Sequence, residues 1–199
     1  NKTTVKADIL NAEGKKIGNA EFIYALNRDG SMKVQTTFEP DTSLVKSMAR
    51  LGITFEMKDT YENVTYLGRG EHETYTDRNQ SGKIGVYKKT PERMFHYYVV
   101  PQSTGNRTDV RWLQLTDEHG KGCWIEANSF FQFSTFPFSD VILEKARHIN
   151  ELKRDGKITI HLDAEQAGVG TATCGPGVLP SYLVPLTKQT FDFTIYPVK

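Results

Sequence analysis

"SMKVQTTFEP", Ser31–Pro40, decides the fold. Met32, Val34, Thr36 and Phe38 fall on one side of an extended chain, and Lys33, Gln35 and Thr37 on the other. Period-two alternation of this kind marks a strand with one buried face. The pattern spreads outward from there. Upstream, "TTVKADIL" runs to the turn signal "NAEG", and "AEFIYALN" runs to "RDG". Downstream, "RLGITFEMK", "YENVTYLG", "KGCWIEAN", "FFQFSTF", "KITIHLD" and "TFDFTIYP" read as further strands. Aromatic and β-branched residues crowd these runs, as strand propensity requires. Many short strands spaced by turns predict an all-β sandwich or barrel rather than an α/β sheet.

One helix is expected. Ser139 is placed to cap "DVILEKARHINEL", with Asp140 at the positive end of the helix dipole. Val141, Leu143, Ile149 and Leu152 would form its apolar stripe, but Arg147 and His148 interrupt it, so it should run one to three turns. Neither a repeat nor a Gly/Ser linker divides the chain, which reads as a single domain, 1–199. A domain of 199 residues buries roughly 70% of its unfolded surface and needs no staple.

Charge narrows the function classes. Lys and Arg number 25 against 24 Asp and Glu, a net charge of +1. That balance argues against nucleic acid, whose binders carry a basic excess. Apolar runs fall short of the roughly 20 residues of a membrane span. Cys123 and Cys174 form no CxxC pair, which argues against a structural zinc site.

Three stretches could carry chemistry. The first is "AGVGTATCGPGVLP", Ala167–Pro180. Gly168 and Gly170 fit a dinucleotide fingerprint, but Thr173 stands where the third glycine belongs, and Pro176 and Pro180 prevent the helix that must follow. Cys174 as a nucleophile would need a neighbouring imidazole. His72, His96, His119, His148 and His161 are available, and nothing in the sequence brings one near; a small residue in a tight turn explains Cys174 better. The second stretch gathers Arg69, Glu71, His72, Glu73, Tyr75, Asp77 and Arg78, which reads either as a solvated turn or as a polar binding site. In the third, Arg107, Asp109 and Arg111 alternate and should form a charged ladder on one strand face.

Four segments, in this order, carry a resemblance: "YLGRGEHETYTDRNQSGKIGVY", "VVPQSTGNRTDVRWLQLTDEHGKG", "FSTFPFSDVILEKARHINEL" and "AGVGTATCGPGVLPSY". Together they resemble the C-terminal, or small-chain, domain of family 2 glycoside hydrolases of the large β-galactosidase type. The match is strong from about Tyr66 to Tyr182 and weaker but collinear over Ala20–Lys58. It implies a large antiparallel β-sandwich, a supersandwich of galactose-mutarotase-like architecture, and a domain that begins upstream of Asn1, so that this chain would be an excised, N-terminally truncated piece. It implies retaining hydrolysis of terminal β-D-galactosides by the full-length enzyme. The two catalytic glutamates and the divalent-metal ligands lie on a separate (β/α)8 barrel, so no catalytic residue, no metal ligand and no cofactor is assigned here; Glu71, Glu73 and Asp77 inherit no catalytic role.

The resemblance also places the glycine-rich loop against the barrel, as a wall of the sugar pocket. Some members carry a tryptophan there; counting back from Pro176, Cys174 stands at that point, in a loop one residue shorter. Thr171, Thr173 and Cys174 are therefore the expected substrate-binding residues, the threonines through their hydroxyls. The expected partners are a β-galactoside and the catalytic barrel of the same polypeptide, with no nucleic acid and no membrane; a homo-oligomer is compatible with the sequence, as are cytoplasmic, periplasmic or secreted locations. The competing reading is a stand-alone carbohydrate-binding or mutarotase-like module, for which His161 and Glu165 would be the acid–base pair.

Overall fold

The computed structural model describes residues 1–171 and 175–199. Its strands are β1 (Lys2–Leu10), β2 (Lys16–Leu26), β3 (Met32–Pro40), β4 (Arg50–Lys58), β5 (Asn63–Gly70), β6 (Lys83–Lys89), β7 (Arg107–Thr116), β8 (Gly122–Phe136), β9 (Lys157–Gln166) and β10 (Gln189–Val198). They form one antiparallel ten-stranded sheet, not closed on itself, in the order β1-β2-β3-β10-β8-β7-β5-β6. Strand β9 pairs with β8 on one side and β4 on the other, off that path. The all-β expectation holds.

Strand β8 makes this arrangement. "KGCWIEAN" and "FFQFSTF", read from the sequence as two strands, are one. Its first half, Gly122–Ala127, pairs with β10. Its second half, Gln132–Phe136, pairs with β9. Asn128, Ser129 and Phe130 between the halves are not buried, which explains why the apolar pattern looked broken there. The change of partner brings β9 and β4 over the main sheet. Ile158, Ile160 and Leu162 of β9 then share one cluster with Val34, Val64, Tyr66, Leu113, Ile125, Phe133, Phe191 and Phe193. Each such side chain, fully buried, contributes about 1.5–3 kcal/mol. The opening stretch behaves as its alternation predicted: Val34, Thr36 and Phe38 are buried.

The expected helix is shorter than its stripe. Helix α2 spans Asp140–Lys145 and stops at Ala146, whose backbone is extended; a separate 3-10 turn follows at Ile149–Glu151. Arg147 and His148 break the apolar face, as their charge suggests. Leu143 and Leu152 pack on the Phe95–Phe136–Phe138 cluster with Ile142, whereas Val141 and Ile149 are exposed. Ser139 occupies the cap position without a side-chain bond. The expectation of one helix needs correction: α1, Pro91–Met94, is a second, with Thr90 accepting from the Arg93 N–H and Pro91 in its first turn. Threonine followed by proline is a start signal legible in the sequence.

Candidate functional site

Two of the three stretches meet in space. After β5 the chain enters the Glu71–Gly82 loop, where Tyr75 and Arg78 exchange backbone hydrogen bonds (2.8 and 3.1 Å) and hold Thr76 and Asp77 at the tip of a tight turn. The Asp77 carboxylate accepts the N–H of Val169 at 3.1 Å and of Gly170 at 2.7 Å. Gly170 has φ +60°, a conformation open to glycine. Gly168 lies against the same carboxylate, which a Cβ there would overlap. Its N–H donates to Tyr182 O at 2.8 Å.

The loop closes on itself further along. Thr171 donates to Pro176 O twice, from its N–H at 3.0 Å and its hydroxyl at 3.1 Å. Thr171 is exposed, and its hydroxyl oxygen keeps lone pairs for an incoming donor. Thr173 and Cys174 lie outside the described residues.

The turn that carries Asp77 is itself fixed. Glu73 accepts from Arg78 at 2.6 Å, from the Tyr98 hydroxyl at 2.7 Å and from the Gly105 N–H at 2.9 Å. Burial pushes its carboxyl up most strongly, but the Gly105 N–H, Tyr98 and Arg78 together outweigh it and hold the carboxyl below its ordinary range. Glu71 pairs with Lys89 at 3.0 Å. These acidic groups hold loops in place.

The expected ladder does not form. Register shifts between Arg107 and Val110, and again before Trp112, break the alternation of β7, and Asp109 sits at φ +53°. A bulge of this kind re-aims side chains. Arg107 is 2% exposed and bonds Tyr66 Oη, Gly105 O, Asn106 O and Glu71 O at 2.8–3.1 Å. Asp109 pairs instead with Arg69 of β5. Arg111 donates to Asp109 O at 2.6 Å and lies over the Phe130 ring at 4.3 Å. Arg107 ties β7 to the Glu71–Gly82 loop directly, through Glu71 O; Asp109 reaches it only by way of Arg69, which donates to Gly82 O at 2.9 Å, and Arg111 stays on β7 and β8.

His161 and Glu165 are not assembled as an acid–base pair. The His161 ring is enclosed, with Nδ1 at 3.0 Å from Thr54 Oγ1 and Nε2 at 3.0 Å from Asp140 Oδ1. Both ring nitrogens are thus engaged. Glu165 makes no hydrogen bond to it, and burial raises the Glu165 carboxyl. Among the described residues, no three His, Cys, Asp or Glu side chains gather closely enough to hold a metal ion. No helix there is long and apolar enough to cross a membrane.

Residues 1–196 match the family described as β-galactosidase small chain, and the chain belongs to that family. A β-galactosidase from Priestia megaterium is 31% identical over 74% of the chain and 14% of its own length. That from Kluyveromyces lactis is 32% identical over 87% and 16%. β-Galactosidase BgaC of Bifidobacterium adolescentis is 37% identical over 60% and 12%. The chain thus spans about one-seventh of the length of the curated relatives it matches.

Proposed function

We propose that this chain is the non-catalytic C-terminal part of a β-galactosidase that hydrolyses terminal β-D-galactosides with retention. Its role is to complete the sugar pocket and the assembly, while the two carboxylates that retaining chemistry requires, roughly 5–5.5 Å apart, come from a catalytic barrel elsewhere in the polypeptide. One observation carries this reading beyond family membership: the glycine-rich loop is anchored at its base by Asp77, and Thr171, Gly175, Pro176 and Gly177 are exposed, free for a partner surface. Thr171 is already a donor to Pro176 O; towards a sugar it would act as an acceptor. Thr173 would offer its hydroxyl, and Cys174 would fill a tight turn where a tryptophan would stack on the sugar ring.

The test uses the full-length enzyme with lactose and an aryl galactoside. Cys174→Ser should change kcat/KM by less than about threefold, under roughly 0.7 kcal/mol. Deletion of Gly170–Gly175 should lower it by about a hundredfold or more, because the pocket loses a wall. A deletion without effect would mean that the loop does not reach the pocket. A dead serine variant beside an active deletion would mean that the thiol is catalytic.

A further inference from the structure

We infer that Asp77 is the positioning residue of the sugar-pocket loop: its carboxylate, on a turn remote in sequence, sets the course of Gly168–Gly170 and so where Thr171 stands. The inference rests on the pocket-wall reading above and adds what holds the wall. A loop with glycines at 168, 170, 175 and 177 has little conformational preference of its own. Something outside it must choose its conformation, and Asp77 is placed to do so. It takes two successive N–H groups, of Val169 and Gly170, in one carboxylate. Bonds from backbone N–H to an ionised acceptor are among the stronger hydrogen bonds.

The fit is close on the loop side too. Gly168 presses its backbone against the carboxylate with no room for a Cβ. A water-solvated aspartate would tolerate an alanine there, and this one does not. On its own side Asp77 cannot drift. The Tyr75–Arg78 bridge closes the turn beneath it, Tyr75 is buried, and Arg78 is fastened to Glu73 at 2.6 Å. Glu73 is in turn fastened to Gly105 immediately before β7. A continuous chain of contacts therefore runs from the sheet to the loop, and Asp77 is its last member.

The experiment compares Asp77→Ala, Asp77→Asn and Gly168→Ala in the full-length enzyme, with two readouts. Hydrogen exchange of the Ala167–Thr171 amides reports whether the loop is held. Steady-state kinetics on lactose report whether its position matters. In Asp77→Ala, exchange should accelerate more than tenfold, and KM should rise about tenfold with kcat within about threefold, the pattern of lost binding rather than lost chemistry. Asp77→Asn keeps an acceptor oxygen for one N–H and should fall between parent and alanine on both readouts. Gly168→Ala, which disturbs the contact from the other side, should reproduce the KM effect. Unchanged exchange in Asp77→Ala overturns the inference and leaves the pocket-wall reading standing. Faster exchange with unchanged KM overturns both, because the loop is then freed without consequence for the sugar. If all three variants fail to fold, Asp77 is a stability residue and the positioning role is refuted.

Discussion

Replacing Asp163 with asparagine should make the protein more stable at neutral pH relative to acid. Asp163 is 1% exposed, and its Oδ2 makes no hydrogen bond among the described residues. Arg50 stands 3.9 Å from that oxygen, at the limit of ion-pair contact, and bonds Ser103 Oγ at 2.8 Å instead. Burial therefore dominates and pushes the carboxyl up to about 6, against weaker downward pulls from Arg50 and His161. A folded value above the unfolded one, about 3.9, means stability that is fully present below pH 4 and lost as pH rises through 6. At about 1.4 kcal/mol per pKa unit, ionised Asp163 costs about 2–3 kcal/mol at pH 7.5. Asparagine has the same shape and no charge. Any packing cost of its buried amide is the same at both pH values. The measured quantity is therefore a difference of differences: urea unfolding of parent and Asp163→Asn at pH 4 and at pH 7.5. The variant's stability relative to the parent should improve by about 2–3 kcal/mol between the two. A flat or opposite trend would show that Arg50 neutralises Asp163 in the fold, and the reasoning from burial would fail.

Two further outcomes follow from the loops. Arg69 and Asp109 keep 29% and 34% of their side-chain surface, so Asp109→Ala should cost about 1 kcal/mol, far below the 3–5 kcal/mol of a fully buried pair. Because Asp109 sits at φ +53°, Asp109→Gly should be the milder substitution by up to about 1 kcal/mol, and thermal melting that ranks alanine above glycine would contradict the assigned backbone. Glu73, held below its ordinary range, adds stability that is present above the unfolded pKa of about 4.3 and lost as pH falls through the folded one. Glu73→Gln should therefore be less stable than the parent by about 1–2 kcal/mol at pH 7, with the gap closing in chemical denaturation as pH falls through the folded value.

Much of the sheet is legible in local pattern, because a strand with one buried face must alternate. Met32–Phe38 shows this, and so does β9, whose Ile158, Ile160 and Leu162 all enter the core. Strand β6 escapes the pattern: it is an edge, and its Ile84 and Val86 face solvent while Tyr87 turns inward. The Arg107–Asp109–Arg111 ladder fails for a sharper reason. One bulge shifts the side-chain phase, and alternation beyond it predicts the wrong face. Asp77 was noticed as a polar residue, but its partners lie 92 and 93 residues away, and no local periodicity encodes such a contact. The loop itself was legible by its glycines; what holds it was not.

The place of β10 has a consequence for how the chain comes together. This strand lies between β3 and β8, with seven residue pairs to the one and six to the other. The three-stranded meander β1–β3 reaches the rest of the ladder only through it. In chain order the meander precedes this neighbour by more than 140 residues, as Pro40 and Gln189 mark the interval. Until residues 189–198 are made, one edge of β3 stays unpaired, with Val34 lacking the cover of Phe191 and Phe193. Open edges of this kind recruit other strands, and late, long-range pairing is slow. Completion of this sheet therefore waits on β10, and its period of greatest exposure to aggregation ends only when that strand slides into the gap.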